Sequence, residues 1–302
     1  MLSKAILNCI EKIFQGNGQN IIIQDIRPFH NTTSGTAYRL QTKLQDYFLK
    51  IADQAHTTRL ESEYTGLKLL SNTKCVKTPE LVGYTTCDDS HEGLLITSWI
   101  NGSWGGSKAA QRKLGETLAA LHDASGEIYH VIQFGLDHDN YIGDNPQYNQ
   151  WMPTWPEFFI EQRIKPQIAI GIKKRLIDPV FENNLLHLCE IINDLLSSES
   201  HTPSLLHGDL WGGNVMFTEN DQAVLIDPAV YFGVAEADLA FTELFGGFTR
   251  DFYEAYNTVL PIPYHYQERK QFYNLYHELN HMNLFGGMFR GSINALCQRY
   301  VG

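Results

Sequence analysis

The sequence predicts an α+β fold of two lobes, a small β-rich N-terminal lobe and a larger helical C-terminal lobe. Short segments rich in β-branched and aromatic residues, separated by turn-like clusters, dominate the first part of the chain. Amphipathic helical patterns dominate the remainder. A chain of 302 residues is long enough for about two units of typical domain size. The composition shift at Asn101-Gly-Ser103 therefore predicts one unit over residues 1–100 and another over residues 101–302.

The N-terminal lobe begins with a helical pattern and continues with strands that surround a second helix. Apolar residues at helical spacing over residues 1–16 predict an amphipathic helix. Charged residues interrupt this run and no small-residue cleavage site follows, so we do not expect a signal peptide. Leucines at helical spacing predict a second helix over residues 59–72. The predicted strands cover residues 21–25, 37–41, 47–51 and 94–100.

The C-terminal lobe reads as a series of helices with one β-rich island. The island has two short apolar segments, residues 215–217 and 224–226, which flank the turn-like Glu219-Asn-Asp-Gln222 and predict a hairpin. The predicted helices cover residues 109–122, 155–171, 181–197, 237–245, 250–259 and 267–285.

Charge and cysteine content exclude several classes of protein. Lys and Arg number 23 against 34 Asp and Glu, a net charge of −11, so we expect neither nucleic acid nor an anionic membrane surface as a partner. The longest apolar runs, such as residues 94–100, are too short to span a bilayer. The five cysteines are scattered and form no CxxC pair, which indicates neither a disulfide framework nor a zinc site and favours the cytoplasm. The sequence does not predict the oligomeric state.

The most informative stretch is Leu205-Leu-His-Gly-Asp-Leu-Trp-Gly-Gly-Asn-Val-Met-Phe217, followed by a predicted strand that ends at Asp227. Asp209, on a loop, can accept a hydrogen bond from a substrate hydroxyl and take its proton. Asn214 and Asp227 offer hard oxygen ligands to Mg²⁺, which prefers few protein ligands together with phosphate oxygens. This spacing predicts a phosphoryl-transfer site that uses ATP and Mg²⁺. The alternative is a turn in which these side chains cap the local backbone.

Upstream residues supply the other parts that a phosphoryl-transfer site needs. Lys50 lies on a predicted strand and Glu63 on the helix that follows, so an ion pair between them would hold the lysine against the α- and β-phosphates. One polar turn could cover the phosphates, although it has a single glycine and no GxGxxG motif. An ordinary hairpin turn and a decayed nucleotide site are the alternatives for this turn. Its residues are Thr32, Thr33, Ser34 and Gly35.

A competing pattern, His277-Glu-Leu-Asn-His281, matches the HExxH signature of zinc proteases. Such a site needs a third protein ligand. After His281 the sequence contains no further His, Asp or Glu. We therefore expect the two histidines to pack within a helix rather than bind zinc.

The segment His207-Gly-Asp-Leu-Trp-Gly-Gly-Asn214 resembles the HGDLWSGN signature of the fructosamine kinase (ketosamine-3-kinase) family. Asp227-Pro-Ala-Val-Tyr-Phe-Gly233 and Glu236-Ala-Asp-Leu-Ala240 resemble that family's DPAVYYG and EADLA segments. The resemblance extends from about residue 27 to residue 287 and also covers the HExxH match. One departure is the turn at residues 32–35, where family members usually have two adjacent glycines.

The resemblance implies a protein-kinase-like fold, related to the aminoglycoside phosphotransferases. It implies ATP-dependent phosphorylation of a sugar hydroxyl, usually the 3-hydroxyl, of a small-molecule ketosamine such as a ribulosamine or fructosamine, or of a glycated amine or protein. Phosphorylation there makes the adduct labile, so the family is linked to deglycation. Asp238 would brace the loop of residues 207–214, which we call the catalytic loop. Trp211 would form an apolar wall for the acceptor, with core packing as its alternative. The adenine-facing hinge would be formed by the backbone of Ser98, Trp99 and Ile100.

Two other functions remain open from the sequence. One is a kinase of the same fold that acts on an aminoglycoside or a choline-like alcohol, against which the signature around Trp211 counts. The other is a non-catalytic pseudokinase that serves as a binding module, against which the complete set of Lys50, Asp209, Asn214 and Asp227 counts.

Overall fold

The N-terminal part of the computed structural model is built on a five-stranded sheet. The structure describes residues 2–32 and 35–302. The strands lie in the order β1-β2-β3-β5-β4 and every neighbouring pair is antiparallel. The sequence pattern did not predict the edge strand β4. The strands are β1 (Ile23–Thr32), β2 (Gly35–Thr42), β3 (Asp46–Ala52), β4 (Leu81–Thr86) and β5 (Gly93–Ser98).

Two helices, α1 (Lys4–Gly16) and α2 (Thr57–Asn72), accompany this sheet. The side chain of Ser3 caps α1 by accepting a hydrogen bond from the Ile6 N–H at 3.2 Å. The apolar stripe of α1 is buried in one core with strand residues such as Leu49. Helix α2 lies between β3 and β4 in the chain, and its Leu70 joins the main core, most of whose residues belong to the C-terminal part. Both helices were predicted, because their leucine and isoleucine spacing follows the helical period.

A disulfide joins Cys9 of α1 to Cys87, which directly follows β4. The two Cα atoms are 6.1 Å apart, within the usual range for a disulfide. The expectation drawn from the scattered cysteines was wrong for this pair. The partners lie 78 positions apart, and they meet only because α1 packs against β4, which residue spacing does not reveal.

The C-terminal part is mainly helical, so the α+β class predicted from the sequence is confirmed. The continuous helix predicted over residues 155–171 is divided by a π-helical stretch, Phe159–Ile164. Pro166 has no N–H for the Gln162 carbonyl, and the Arg163 guanidinium donates to that carbonyl instead at 2.9 Å. The helices are α3 (Lys108–Ile128), α4 (Trp155–Phe158), α5 (Lys165–Lys173), α6 (Pro179–Ser197), α7 (Ala235–Leu244), α8 (Arg250–Val259), α9 (Tyr266–Phe285) and α10 (Arg290–Tyr300).

Short strands between these helices hold the loops of the site. The predicted hairpin is confirmed, with Val215 opposite Leu225. A second pair of strands lies on either side of the catalytic loop, with Leu206 opposite Tyr231. None of the described helices is long and apolar enough to cross a membrane. The strands are β6 (Gly102–Ser103), β7 (Asn140–Ile142), β8 (Asn145–Gln147), β9 (Ser204–Leu206), β10 (Val215–Thr218), β11 (Ala223–Leu225) and β12 (Tyr231–Gly233).

Close packing of α3 against α8 gives a test of the C-terminal core. A Cβ atom added at Gly115 of α3 would lie 2.2 Å from the carbonyl oxygen of Phe252 in α8. The two helices would have to separate, because the obstacle is backbone. We expect Gly115→Ala to lower the free energy of unfolding by about 1–3 kcal/mol, as overpacked cores do, measured by chemical denaturation.

Gly291→Ala is the matched control, since Gly291 lies in helix α10 and an added Cβ would meet no atom within 4 Å. Alanine there should be neutral or add about 0.5–1 kcal/mol, because glycine loses more backbone entropy on folding. Equal stabilities for the two variants would contradict the packing of α3 on α8.

Candidate active site

Two cavities meet between the sheet and the helical part of the chain. Their volumes are about 310 Å³ and about 420 Å³. Lys50, Glu63 and Asp227 line both of them. The larger cavity also contains the predicted hinge residues, and the smaller one contains Asp209. We call them the hinge cavity and the loop cavity.

An ion triad around the buried Lys50 ammonium stands where the two cavities meet. The Lys50 ammonium on β3 donates to Glu63 Oε1 at 2.7 Å and to Glu63 Oε2 at 2.8 Å, and it also contacts Asp227 Oδ1. Lys50 is only 5% exposed, so burial opposes its charge. The negative charges of Asp227 and Glu63 outweigh that effect and raise the pKa of Lys50. The pairing of Lys50 with Glu63 suggested by the sequence is thus present.

Asp227 is directed into the cavities by the turn that carries it. Its φ of +51° lies in the left-handed region, which aspartate tolerates better than most side chains. Helix α2 packs closely on the next residue, since a Cβ at Gly66 would be 3.1 Å from Pro228. Partial desolvation opposes the negative charge of Asp227, whose side chain is 48% exposed, but the positive charge of Lys50 outweighs it and lowers the pKa of Asp227. An ionised carboxylate is therefore held at the junction.

Buried amide side chains support the turn that follows Asp227. Asn140 of β7 donates to the Val230 carbonyl at 2.8 Å. Gln147 of β8 donates to the Ala229 carbonyl at 3.0 Å. These bonds satisfy carbonyl groups that would otherwise be buried without partners, so the β7–β8 hairpin fixes the turn.

The catalytic loop brings Asp209 and Asn214 together. The Asn214 amide donates to the Asp209 backbone oxygen at 2.8 Å and to its Oδ2 at 3.0 Å. Because the Asn214 NH₂ faces a backbone carbonyl, its Oδ1 is available on the other side for a cation. Burial raises the pKa of Asp209 to about 7, and the charges of Asp227 and Asp238 add to that rise. Asp209 is therefore a carboxylate with enhanced basicity.

Asp238 of α7 holds the loop in place from beneath. Its Oδ2 accepts the His207 N–H at 2.7 Å and its Oδ1 accepts the Gly208 N–H at 2.9 Å. His122 Nε2 lies 3.3 Å from the same carboxylate. Burial opposes the charge of Asp238, but hydrogen bonds and nearby histidines lower its pKa. The bonding is as the sequence suggested, with Asp238 contacting the loop backbone.

Aromatic side chains form the walls of the hinge cavity. Phe29 and Trp99 meet edge to face with their ring centroids 5.2 Å apart. Trp104 donates its indole N–H to the Gly213 carbonyl at 3.3 Å. The sequence predictions missed Phe29 and Trp104, because an isolated aromatic residue carries no spacing signal. A mostly apolar cavity with aromatic walls suits a ligand with an aromatic ring.

The loop cavity has an aromatic wall at its open side. Trp211 is 41% exposed, which speaks against the core-packing alternative. Its ring packs on Phe245 at 6.2 Å, and Phe245 packs on His281 at 4.8 Å. His281, Asn280 and Phe285 of α9 line the same cavity. The sequence predictions missed these residues of α9, although the HExxH pattern had marked His281 for a different reason.

The two histidines of the HExxH pattern have separate environments. His277 is stacked on Phe241 with ring centroids 3.6 Å apart. Burial lowers the pKa of His277 to about 3. No group of three or more His, Cys, Asp or Glu residues within residues 2–32 and 35–302 is placed to hold a metal ion. The packing expected for His277 is present, whereas His281 faces the loop cavity.

The predicted phosphate-covering turn is only partly described. Thr33 and Ser34 lie outside the described residues. On either side of them, Thr32 of β1 is paired with Gly35 of β2. A Cβ at Gly35 would lie 2.0 Å from the Ile51 carbonyl oxygen, so this position requires glycine. A role in phosphate binding stays a prediction for this turn.

A lysine paired with a helix glutamate, a loop Asp–Asn pair and a strand-terminal aspartate, placed between two cavities, define a kinase-like site. The family model of fructosamine kinase matches residues 6–302. The chain therefore belongs to the fructosamine kinase family.

Named relatives agree with this assignment. A "Probable ketoamine kinase" of Synechocystis is 36% identical over 284 residues, which is 93% of this chain and 91% of the relative. The chloroplastic protein-ribulosamine 3-kinase of Arabidopsis thaliana is 33% identical over 267 residues, which is 88% of this chain and 79% of the relative.

Solved structures show the same architecture. A protein assigned as a fructosamine-3-kinase from Haemophilus somnus superposes with a TM-score of 0.86 at 27% identity, over 97% of each chain. An aminoglycoside phosphotransferase superposes with a TM-score of 0.68 at 13% identity, over 98% of this chain and 99% of the other. The second likeness shows the fold alone, and it confirms the expected kinase-like class.

Asp238 provides a test of how the catalytic loop is held. In Asp238→Asn, an NH₂ group would replace one of the two oxygens that face the backbone N–H groups of His207 and Gly208. We expect the free energy of unfolding to fall by about 1.5–3 kcal/mol, the range for hydrogen bonds to charged groups. Thermal and chemical denaturation would measure the loss.

Asp123→Asn is the control, because Asp123 follows His122 on α3 but is exposed. Its stability should change by less than about 0.5 kcal/mol. If both variants were as stable as the parent chain, the loop would not depend on the Asp238 carboxylate.

Proposed function

We propose that this chain is an ATP-dependent kinase that phosphorylates a sugar hydroxyl of ketosamines, and that the acceptor is the 3-hydroxyl. Family membership and the ketoamine kinase and ribulosamine 3-kinase relatives support the reaction class and the acceptor class. The observation that carries the proposal is the position of the Lys50 triad, which lines both the hinge cavity and the loop cavity. A phosphoryl group bound there would lie between a nucleotide and an acceptor.

The hinge cavity is proposed to bind the adenine of ATP. Two of its backbone N–H groups already have hydrogen-bond partners. The Ser98 N–H donates to the Glu80 carbonyl at 2.8 Å and the Trp99 N–H donates to the Asp46 carbonyl at 3.1 Å. Within the described residues the Ile100 N–H has no such partner. Ile100 is therefore our candidate donor to the adenine ring, with the aromatic walls stacking on its faces. Residues 1–100 would form the nucleotide lobe and residues 101–302 the acceptor lobe.

Mg²⁺ fits the oxygen atoms that the loop and the turn present. Asn214 Oδ1 and the ionised Asp227 carboxylate are hard ligands at one end of the loop cavity. Magnesium usually takes only one or two protein ligands and completes its shell with phosphates and water. When bound there, it would neutralise charge on the phosphates.

Asp209 is the proposed base. Its carboxylate would accept the hydrogen bond of the acceptor hydroxyl and orient that oxygen toward the γ-phosphorus. As the new O–P bond forms and the bond to the leaving ADP oxygen breaks, the hydroxyl proton passes to Asp209. Lys50, held by Glu63, would neutralise charge on the phosphates of the nucleotide. The raised pKa of Asp209, about 7, makes its ionised carboxylate a better proton acceptor than that of an ordinary aspartate.

The acceptor is proposed to contact Trp211 through its sugar or its amine. A ketosamine nitrogen is a secondary amine that is positively charged near neutral pH, and an indole face attracts such a cation. The net charge of −11 also favours a cationic acceptor over an anionic one. Loss of the sugar adduct after phosphorylation, that is, deglycation, remains a prediction. A cytoplasmic location also remains a prediction.

The direct test is ATP turnover with the purified chain and Mg²⁺ against ribulosamine, erythrulosamine and fructosamine acceptors. An aminoglycoside and choline serve as acceptors of the alternative class. Phosphorylation of a ketosamine with a higher kcat/KM than either alternative supports the proposal. Turnover confined to the aminoglycoside or choline would contradict it, and nucleotide binding without turnover of any acceptor would favour a pseudokinase.

Substitutions of Asp209 and of Trp211 should change different kinetic constants. Asp209→Asn removes the base, so kcat should fall by about 10²–10⁴-fold while ATP binding survives. Trp211→Ala removes a wall that does not touch the reacting atoms, so the acceptor KM should rise and the KM for ATP should stay nearly unchanged. Steady-state kinetics with both substrates varied would separate the two effects.

Each variant is a control for the other, because both residues lie on the same loop and would share a general loss of folding. A normal kcat in Asp209→Asn would exclude Asp209 as the base. A normal acceptor KM in folded Trp211→Ala would return the indole to a packing role.

Asp227→Asn tests the proposed metal ligand. An amide is a weaker ligand than a carboxylate for a hard cation, so Mg²⁺-dependent nucleotide affinity should fall strongly. The protein should stay folded, with lower stability because Lys50 loses a charged partner. Calorimetric titration with ATP, with and without Mg²⁺, measures the affinity. Asp221→Asn, on the exposed β10–β11 turn, is the control, and unchanged Mg²⁺ dependence in Asp227→Asn would remove Asp227 from the site.

A further inference from the structure

A series of hydrogen-bonded, buried amide side chains fixes the orientation of Asn280 in the loop cavity. An amide side chain has an accepting oxygen and a donating NH₂ group, and only its hydrogen-bond partners decide which one faces which way. A backbone carbonyl can only accept, so any amide that faces one must present its NH₂ group. Asn283 of α9 faces such a carbonyl, and its orientation determines the orientation of the other amide side chains in the series.

The Asn283 NH₂ group donates to the backbone oxygen of Gln167 at 2.8 Å and to its side-chain Oε1 at 2.8 Å. The side-chain atom of Gln167 that faces Asn283 is therefore an oxygen. The Gln167 NH₂ group consequently points the other way, where it donates to Asn280 Oδ1 at 3.3 Å. Asn283 and Gln167 are 2% and 1% exposed, so water cannot easily replace these bonds.

A second donor fixes the same oxygen of Asn280. The Asn145 NH₂ group of β8 donates to Asn280 Oδ1 at 2.8 Å. With two amide donors on its oxygen, the Asn280 side chain cannot turn over without placing its own NH₂ group against two others. Within the described residues the Asn280 Nδ2 has no hydrogen-bond partner in the protein, and Asn280 lines the loop cavity together with Asp209 and Trp211.

We infer that Asn280 is an acceptor-binding residue whose NH₂ group donates a hydrogen bond to an oxygen of the sugar acceptor. The inference rests on the proposed function. It assigns complementary tasks within one cavity, since the Asp209 carboxylate accepts from the reacting hydroxyl while Asn280 donates to another oxygen of the same molecule. A charged amine has no lone pair for such a donor, so Asn280 selects the sugar end of the ketosamine.

Asn280→Asp is the decisive variant, because it keeps the oxygen that accepts from Asn145 and Gln167 and replaces only the donor. We expect the acceptor KM to rise about 10- to 100-fold, since a donor is exchanged for a group that repels the sugar oxygen. The KM for ATP should change less than twofold. Asn193→Asp, exposed on α6 and outside both cavities, is the control for the change of charge.

Asn145→Asp tests orientation without changing Asn280. An aspartate at position 145 would repel Asn280 Oδ1 and attract its NH₂ group, which would turn the amide away from the acceptor. The acceptor KM should therefore rise in this variant too. Ketosamine analogues that each lack one oxygen identify the atom that Asn280 contacts. For the analogue without that oxygen, Asn280→Asp should not raise the acceptor KM any further.

Wild-type turnover of ribulosamine is measured first, so that a failure of the proposed function is recognised separately. If the wild type phosphorylates ribulosamine but folded Asn280→Asp has a normal acceptor KM, the role of Asn280 is refuted. An acceptor KM that Asn280→Asp raises equally for every analogue, or a parallel rise in the KM for ATP, would also refute this role and indicate a structural one. Absence of wild-type turnover would refute the acceptor class and the Asn280 assignment together.

Discussion

The buried ammonium group of Lys50 is the constraint on which the arrangement of the site depends. A cation that is 5% exposed is tolerated only when partners compensate its lost hydration. Glu63 supplies one partner from α2, and Asp227 supplies the other from the C-terminal part of the chain. Removing either would leave charge buried without adequate pairing, which is costly. The strand, the helix and the turn must therefore come together as one unit.

Polar networks, rather than apolar packing alone, keep this unit rigid. The Asp227 turn is held by Asn140 and Gln147, and the catalytic loop is held by Asp238. Arg163 is fully buried and lies over the ring of Tyr231, with its guanidinium carbon 3.8 Å from the centroid. Hydrogen bonds of this kind leave the turn and the loop few alternative arrangements. Groups fixed in this way need little reorganisation when charge develops during phosphoryl transfer.

Local spacing explains how much of the site could be predicted. Asp209, Asn214 and Asp227 belong to one short segment, so their order along the chain already indicates a shared task, and Lys50 and Glu63 fall on adjacent elements. Phe29, Trp104 and Asn280 join the site only through tertiary contacts, and nothing near them in sequence signals that. The Cys9–Cys87 bond was missed for the same reason, since its partners lie 78 positions apart. The π-helical stretch was missed because the helical pattern continues through it, and only Pro166 marks the interruption.

Helix α9 shows how one element can serve the core and the site at once. His277 and Asn283 are buried in the protein interior, whereas Asn280 and His281 reach the loop cavity. Positions three and four apart share a helix face, so Asn280 and His281 lie on the same side of α9 as the buried His277. The hinge cavity takes no residue from α9 among those described. The two cavities share only the ion triad. We therefore expect substitutions on this helix to change binding of the proposed acceptor and to leave the proposed nucleotide contacts unchanged.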